Sequence, residues 1–160
     1  MGAPIVIAGA LLALLFATSC APSHIQAPAA SATSVVCPPD DPDVEPTPTM
    51  ADLNVLRRAD TLLSDPAAWN HFGDRDCDAA AHSWNLYCVL HRASLDVMGA
   101  ACHRSAAMQE VRWVVDDRTR GVDLAHRLMD YNNLPTTTFA DIKGVLAEAI
   151  RRLAAKLHAS

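Results

Sequence analysis

Thiols, imidazoles and carboxylates crowd one part of this sequence. Between residues 71 and 103 stand Cys77, Cys88 and Cys102, with His71, His82, His91 and His103 and the acids Asp74, Asp76 and Asp78. Such residues could hold zinc, but zinc sites are built on closely paired ligands such as Cys-x-x-Cys, and none occurs here. Cys88 and His91 share a helix face, whereas His82 precedes Cys88 by six positions and points elsewhere. Asp74-x-Asp76-x-Asp78 opens like a calcium loop. Its sixth position is Ala79 instead of Gly and its twelfth is Asn85 instead of Glu, so it reads as a solvated loop. There is no Gly-x-Ser-x-Gly nucleophile context and no Gly-rich phosphate cradle. The expectation is no catalytic residue, no metal and no cofactor. The alternative is a small enzyme or metal-binding domain built on the His, Cys and Asp residues of 71–103.

Near the start of the sequence, Pro4 to Phe16 is an apolar run. It is short for a membrane span, which takes roughly 20 apolar residues, and it suits the h-region of a signal peptide covering residues 1–19. Ala17, Thr18 and Ser19 then lead into Cys20. This arrangement resembles the lipobox of bacterial lipoproteins. Ala17 stands where that motif usually has Leu, and Met1-Gly2-Ala3 carries no Lys or Arg. The resemblance implies cleavage before Cys20, acylation of its sulfur and a lipid anchor in a bacterial membrane. The expected location is the cell envelope, or failing the anchor, the secreted fraction. With Cys20 acylated, Cys37, Cys77, Cys88 and Cys102 remain out of five cysteines. An even number in an exported protein suggests two disulfides among three possible pairings. Cys77–Cys88 or Cys88–Cys102 would staple a loop to a helix, and Cys37 would pin the N-terminal stalk to the domain. The other possibility for Cys88 is a free thiol in apolar packing.

Residues 20–48 follow as a linker. Pro22, Pro28, Pro38, Pro39, Pro42, Pro46 and Pro48 are set among Ala, Ser and Thr with no apolar period, which favours disordered, extended backbone. The formal net charge of the chain is -5, from 13 Lys+Arg and 18 Asp+Glu. Asp40, Asp41, Asp43 and Glu45 lie in the linker, so the remainder is close to neutral. No basic stretch dominates, and nucleic acid is not an expected partner.

Residues 49–160 must position whatever the chain does. Thr49 and Asp52 predict a capped helix from about Met50 to Leu63, with Leu53, Leu56, Ala59, Leu62 and Leu63 on its buried side. Ser64-Asp65-Pro66 ends it and starts a short helical turn to Trp69. A polar loop follows to Asp78, which can cap a second helix from about Ala79 to His91 or beyond. Ala81, Trp84, Cys88 and Leu95 would share one side of that helix, which either continues or breaks at Gly99. Ser105 to Trp113 reads as helix, although Val111 to Val115 would also suit a short strand. Asp116 to Gly121 looks like a loop, and Val122 to Met129 like a helix. No alternation argues for a sheet. The fold class is mainly α, a small helical bundle after the leader and the Pro-rich linker.

The C-terminal thirty residues are the plainest folding grammar. Asn132 and Asn133 tolerate the left-handed backbone that ends a helix, and Pro135 cannot continue one. Thr137 or Thr138 can then cap a last helix, with Asp141 in its first turn. Phe139, Ile142, Val145, Leu146, Ala149, Ile150, Leu153 and Leu157 make its apolar stripe. The turn is either a helix stop alone or a rigid polar loop presenting Tyr131, Asn132 and Asn133.

The segments Leu56-Arg57-Arg58-Ala59, Trp69, Cys88-Val89-Leu90, Tyr131-Asn132-Asn133, Thr136 to Thr138 and Val145 to Ile150 together resemble a bacterial family of unknown function. Its members are small, mostly helical domains, and the resemblance spans nearly all of residues 50–152. His91-Arg92 stands where that family has Gly-Ala, and Tyr131-Asn132-Asn133 where it has Trp-Asn-Asp. What the resemblance implies is a fold, without a mechanism. The functional expectation is a non-enzymatic binding or envelope-assembly module, held at the membrane by lipid on Cys20, with its protein partner unknown.

Overall fold

The computed structural model describes residues 36–39 and 44–159, which belong to one unit, Ser34–Ser160. The expected signal peptide, Cys20 and most of the linker lie outside the described residues.

The described part is mainly α. Its elements are α1 (Met50–Leu62), a 3-10 turn (Pro66–Ala68), α2 (Leu86–Met98), α3 (Ala106–Arg118), α4 (Arg127–Asn133) and α5 (Phe139–Ala159). No helix among the described residues is long and apolar enough to cross a membrane. α1 lies at the centre and packs on α2, α5 and α3, while α3 also packs on α5 and α4. Val55, Leu56 and Ala59 of α1 meet Leu86, Val89, Leu90 and Ala93 of α2, Val111 and Val115 of α3, and Ile142, Val145, Leu146, Ala149 and Leu153 of α5 in one buried cluster. On α1, α2 and α5 these positions recur every three or four residues, so each turns a stripe inward, whereas α3 is buried all round from Ala106 to Val111.

Polar side chains set the helix starts. Thr49 and Asp52 form a reciprocal capping box on α1. The same Asp52 accepts the N–H of Ala107 at 3.1 Å, so one buried carboxylate serves the first turns of both α1 and α3. On α5, Thr138 and Asp141 repeat the reciprocal box. Lys143 of α5 bonds the carboxylate and the carbonyl of Asp60 and ties α5 to the end of α1.

The structure corrects the expected elements in four places. α2 begins at Leu86, with Asn85 as its cap, and not at Ala79. The Asp78 carboxylate instead accepts the N–H of Ala80 in a local turn, and the Trp84 backbone is committed to an isolated bridge with Trp69. Trp84 N–H donates to Ala68 O at 2.9 Å and Asn70 N–H donates to Trp84 O at 3.0 Å, which excludes helix there. Leu95 falls on the solvent side of α2, which stops at Gly99 in the left-handed region at φ 72°. Val111 to Val115 are helix, because α3 runs from its Ser105 cap through the expected loop to Arg118. α4 spans only Arg127–Asn133, with Val122 exposed ahead of it.

Asn132 and Asn133 are themselves in α4, and no described non-glycine residue has positive φ. The helix ends at Leu134 (φ -59°, ψ 133°), because the residue before a proline is driven into extended backbone.

Candidate functional site

Four of the residues expected to carry chemistry form two bridges. Cys37 pairs with Cys102 and Cys77 with Cys88. Cys37–Cys102 anchors the segment before α1 to the loop between α2 and α3. Cys77–Cys88 anchors the long loop 70–85 to the first turn of α2. The Cys88–Cys102 pairing and the free Cys88 thiol are thereby replaced. Both α2-side sulfurs are spent in bridges, so neither is a thiolate. The described residues hold no group of three His, Cys, Asp or Glu placed to share a metal ion.

Tyr131, Asn132 and Asn133 do not form a displayed loop. They are the last turn of α4, and Tyr131 and Asn132 are buried. The Asn132 carbonyl accepts the indole N–H of Trp69 at 2.8 Å and the N–H of Leu86 at 3.1 Å. Its amide donates to Asn70 O at 3.0 Å and His71 O at 2.7 Å. Asn133 and Gly73 exchange bonds in both directions, at 2.8 and 3.3 Å. Asn85 joins the same network, donating to Asp74 O at 2.6 Å while its carbonyl caps Cys88 N–H at 2.8 Å. These amides act as internal fasteners that give loop 70–85 its backbone partners. From this base the loop carries a stack of rings, Trp69 on His71 at 4.7 Å and His71 on Phe72 at 4.2 Å, with Phe72 exposed.

Beside Tyr87 lies a pocket with no counterpart in the sequence reading. Its volume is about 300 Å³, and its wall includes Arg75, Tyr87, His103, Arg104, Arg112 and Arg127. Arg75 belongs to loop 70–85 and lies over the Tyr87 ring at 5.3 Å. The edge of that ring faces His103 at 6.4 Å. His103 and Arg104 directly follow the bridged Cys102. Arg112, on α3, donates to His103 O and to Gln109 Oε1, both at 2.9 Å. Arg127, at the start of α4, is oriented by Asp116 at 3.2 Å.

Burial, then the positive fields of Arg104 and Arg127, hold the Arg112 guanidinium below its usual range. On the far side of Arg104 and Arg127 a second hollow is lined by Val44, Glu45, Pro46 and Trp113. There Lys156 lies over the Trp113 ring at 4.3 Å and pairs with the buried Glu110 at 3.0 Å and with Glu45 at 3.3 Å. Burial acts to lower the Lys156 ammonium, but hydrogen bonds and charge from Glu110 and Glu45 outweigh it and hold it above its ordinary value.

Arg75, Arg104, Arg112 and Arg127 were missed because no short motif contains them. They sit in different segments, and the only trace in the sequence is a chain richer in Arg than in Lys. His82 is exposed and His91 half-buried, and neither lines this pocket.

Residues 47–152 match a family of unknown function, DUF6197. The chain belongs to this family. The match covers all of α1 to α4 and most of α5, so the capped bundle, the asparagine fasteners and the arginine-lined pocket all fall within the family domain. No curated protein and no solved structure matches the chain significantly.

Proposed function

We propose that this chain is an exported binding module, fastened to a bacterial envelope membrane by lipid on Cys20 and working without catalysis. The observation that carries the reading is the pairing of Cys37 with Cys102 and of Cys77 with Cys88. Structural bridges persist in oxidising compartments and are rare in a reducing cytosol. The pairing accounts for every cysteine except Cys20, which stands directly behind the apolar leader. The Pro-rich linker then serves as a stalk between anchor and domain. A preformed pocket walled by cations and an aromatic ring supports binding as the task.

The test is the intact mass of the membrane-extracted protein, with and without reductant. The reading expects a chain starting at Cys20 that carries a diacylglycerol-type mass, and a gain of four hydrogens on reduction. A cytosolic product that retains Met1 with every thiol reduced contradicts it.

A further inference from the structure

The pocket beside Tyr87 draws positive charge from four places in the chain. Arg75 comes from the loop before α2, Arg104 from the loop after it, Arg112 from α3 and Arg127 from α4. Among the described residues that line the pocket there is no carboxylate. Guanidiniums crowded on a partly buried wall repel one another, and an anion entering among them relieves that repulsion. The guanidiniums are also held in place. Gln109 and the His103 carbonyl fix Arg112, Asp116 fixes Arg127, and the Tyr87 ring supports Arg75. Donors fixed before the ligand arrives lose little freedom on binding it.

We propose that this pocket binds a small phosphate-bearing anion. The proposal rests on the reading of the domain as a binding module and names the class of ligand it takes. The donors approach from separate elements and so from several directions. A tetrahedral oxyanion can accept from all of them, whereas a carboxylate accepts in one plane. A cavity of about 300 Å³ has room for one or two phosphoryl groups with a small organic body. Two sources share this chemistry, a soluble phosphate ester and the headgroup of an anionic phospholipid.

The experiment uses the full-length chain with its disulfides intact, in detergent. It is titrated with pyrophosphate by calorimetry. In parallel it is titrated with detergent micelles doped with phosphatidylglycerol or with phosphatidylcholine, so that any lipid on Cys20 meets the same micelle in both and only the headgroup differs. The proposal expects saturable binding in at least one arm that weakens as salt rises. Arg75→Gln and Arg112→Gln should each weaken it by about tenfold or more. Arg120→Gln, which alters an exposed arginine outside the pocket, should not. Arg75 lies on an exposed loop, so its variant reports on binding even if Arg112→Gln impairs folding. Pyrophosphate binding assigns the site to a soluble ester. Binding confined to the phosphatidylglycerol micelles and lost in Arg75→Gln assigns it to a lipid headgroup. No binding in either arm, or binding indifferent to Arg75→Gln, overturns the proposal. Envelope location is read from the mass experiment alone, so a cytosolic product that still binds pyrophosphate sinks the location and leaves the ligand class standing.

Discussion

Asn132 accepts the indole N–H of Trp69 at 2.8 Å, joining the last turn of α4 to the turn that follows α1. The bond spans 63 residues of sequence, and the same side chain serves the start of α2 and the carbonyls of Asn70 and His71. A buried amide with all its bonds made is worth more to the fold than its pairwise parts.

Asn132→Leu should therefore be severe. It strands an indole N–H, the Leu86 N–H and two carbonyls away from water, a loss of about 3–5 kcal/mol. Urea unfolding followed by circular dichroism measures it. Asn132→Asp keeps the acceptor but turns a charge on two carbonyls, so it should rescue little.

The two bridges should differ in worth. Cys37–Cys102 closes a separation of 65 residues and Cys77–Cys88 one of 11. In the chain-entropy account, losing the longer loop costs about 4 kcal/mol and losing the shorter about 3 kcal/mol. Paired Cys→Ala variants compared by denaturant midpoint test the order. The longer bridge adjoins His103 and Arg104 and the shorter adjoins Arg75, so removal of either should weaken pyrophosphate binding.

Acid should erode the α3–α5 seam. Hydrogen bonds from Arg151 and Arg152 hold the Glu148 carboxyl at about 2, against an ordinary 4.5. A depressed folded value means that its contribution is complete above pH 4.5 and is lost as pH falls toward 2. Asp117, which receives Arg152 at 2.7 Å, is lowered as well, first by that hydrogen bond. Melting temperature followed downward from pH 5 should fall less steeply for Glu148→Gln than for the parent, and a parallel course would show that this carboxylate contributes nothing.

Two glycines should respond in opposite directions. A Cβ at Gly73 would collide with the side chain of Asn85, the residue that caps α2, so Gly73→Ala should destabilise by about 1–3 kcal/mol. A Cβ at Gly144, inside α5, meets only the flexible tip of Arg118. Gly144→Ala should stabilise by about 0.5–1 kcal/mol through helix propensity. Thermal unfolding of both variants decides it.

Elements governed by neighbouring residues were readable in the chain. The α1 box of Thr49 and Asp52, the Thr138 cap and the α5 stripe depend on contacts within one or two turns, so spacing alone reveals them. The start of α2 was not readable, because Asp78 and Asn85 are both competent caps. The choice between them is made by Trp84 bridging to Trp69 and by Asn85 reaching Asp74. The asparagines of α4 misled for a related reason. Their tolerance of left-handed backbone is a local trait, but their amides are consumed by partners about sixty residues away.

By itself the sequence determined a mainly helical domain following an apolar and then a proline-rich stretch, with cysteines available to pair. It could do so because periodicity, capping and composition are short-range properties. The tertiary structure decided which cysteines met, which amides were buried and that four scattered arginines share one wall. Those outcomes depend on how α1 to α5 pack, and packing sums contacts over the whole chain that no window of residues contains.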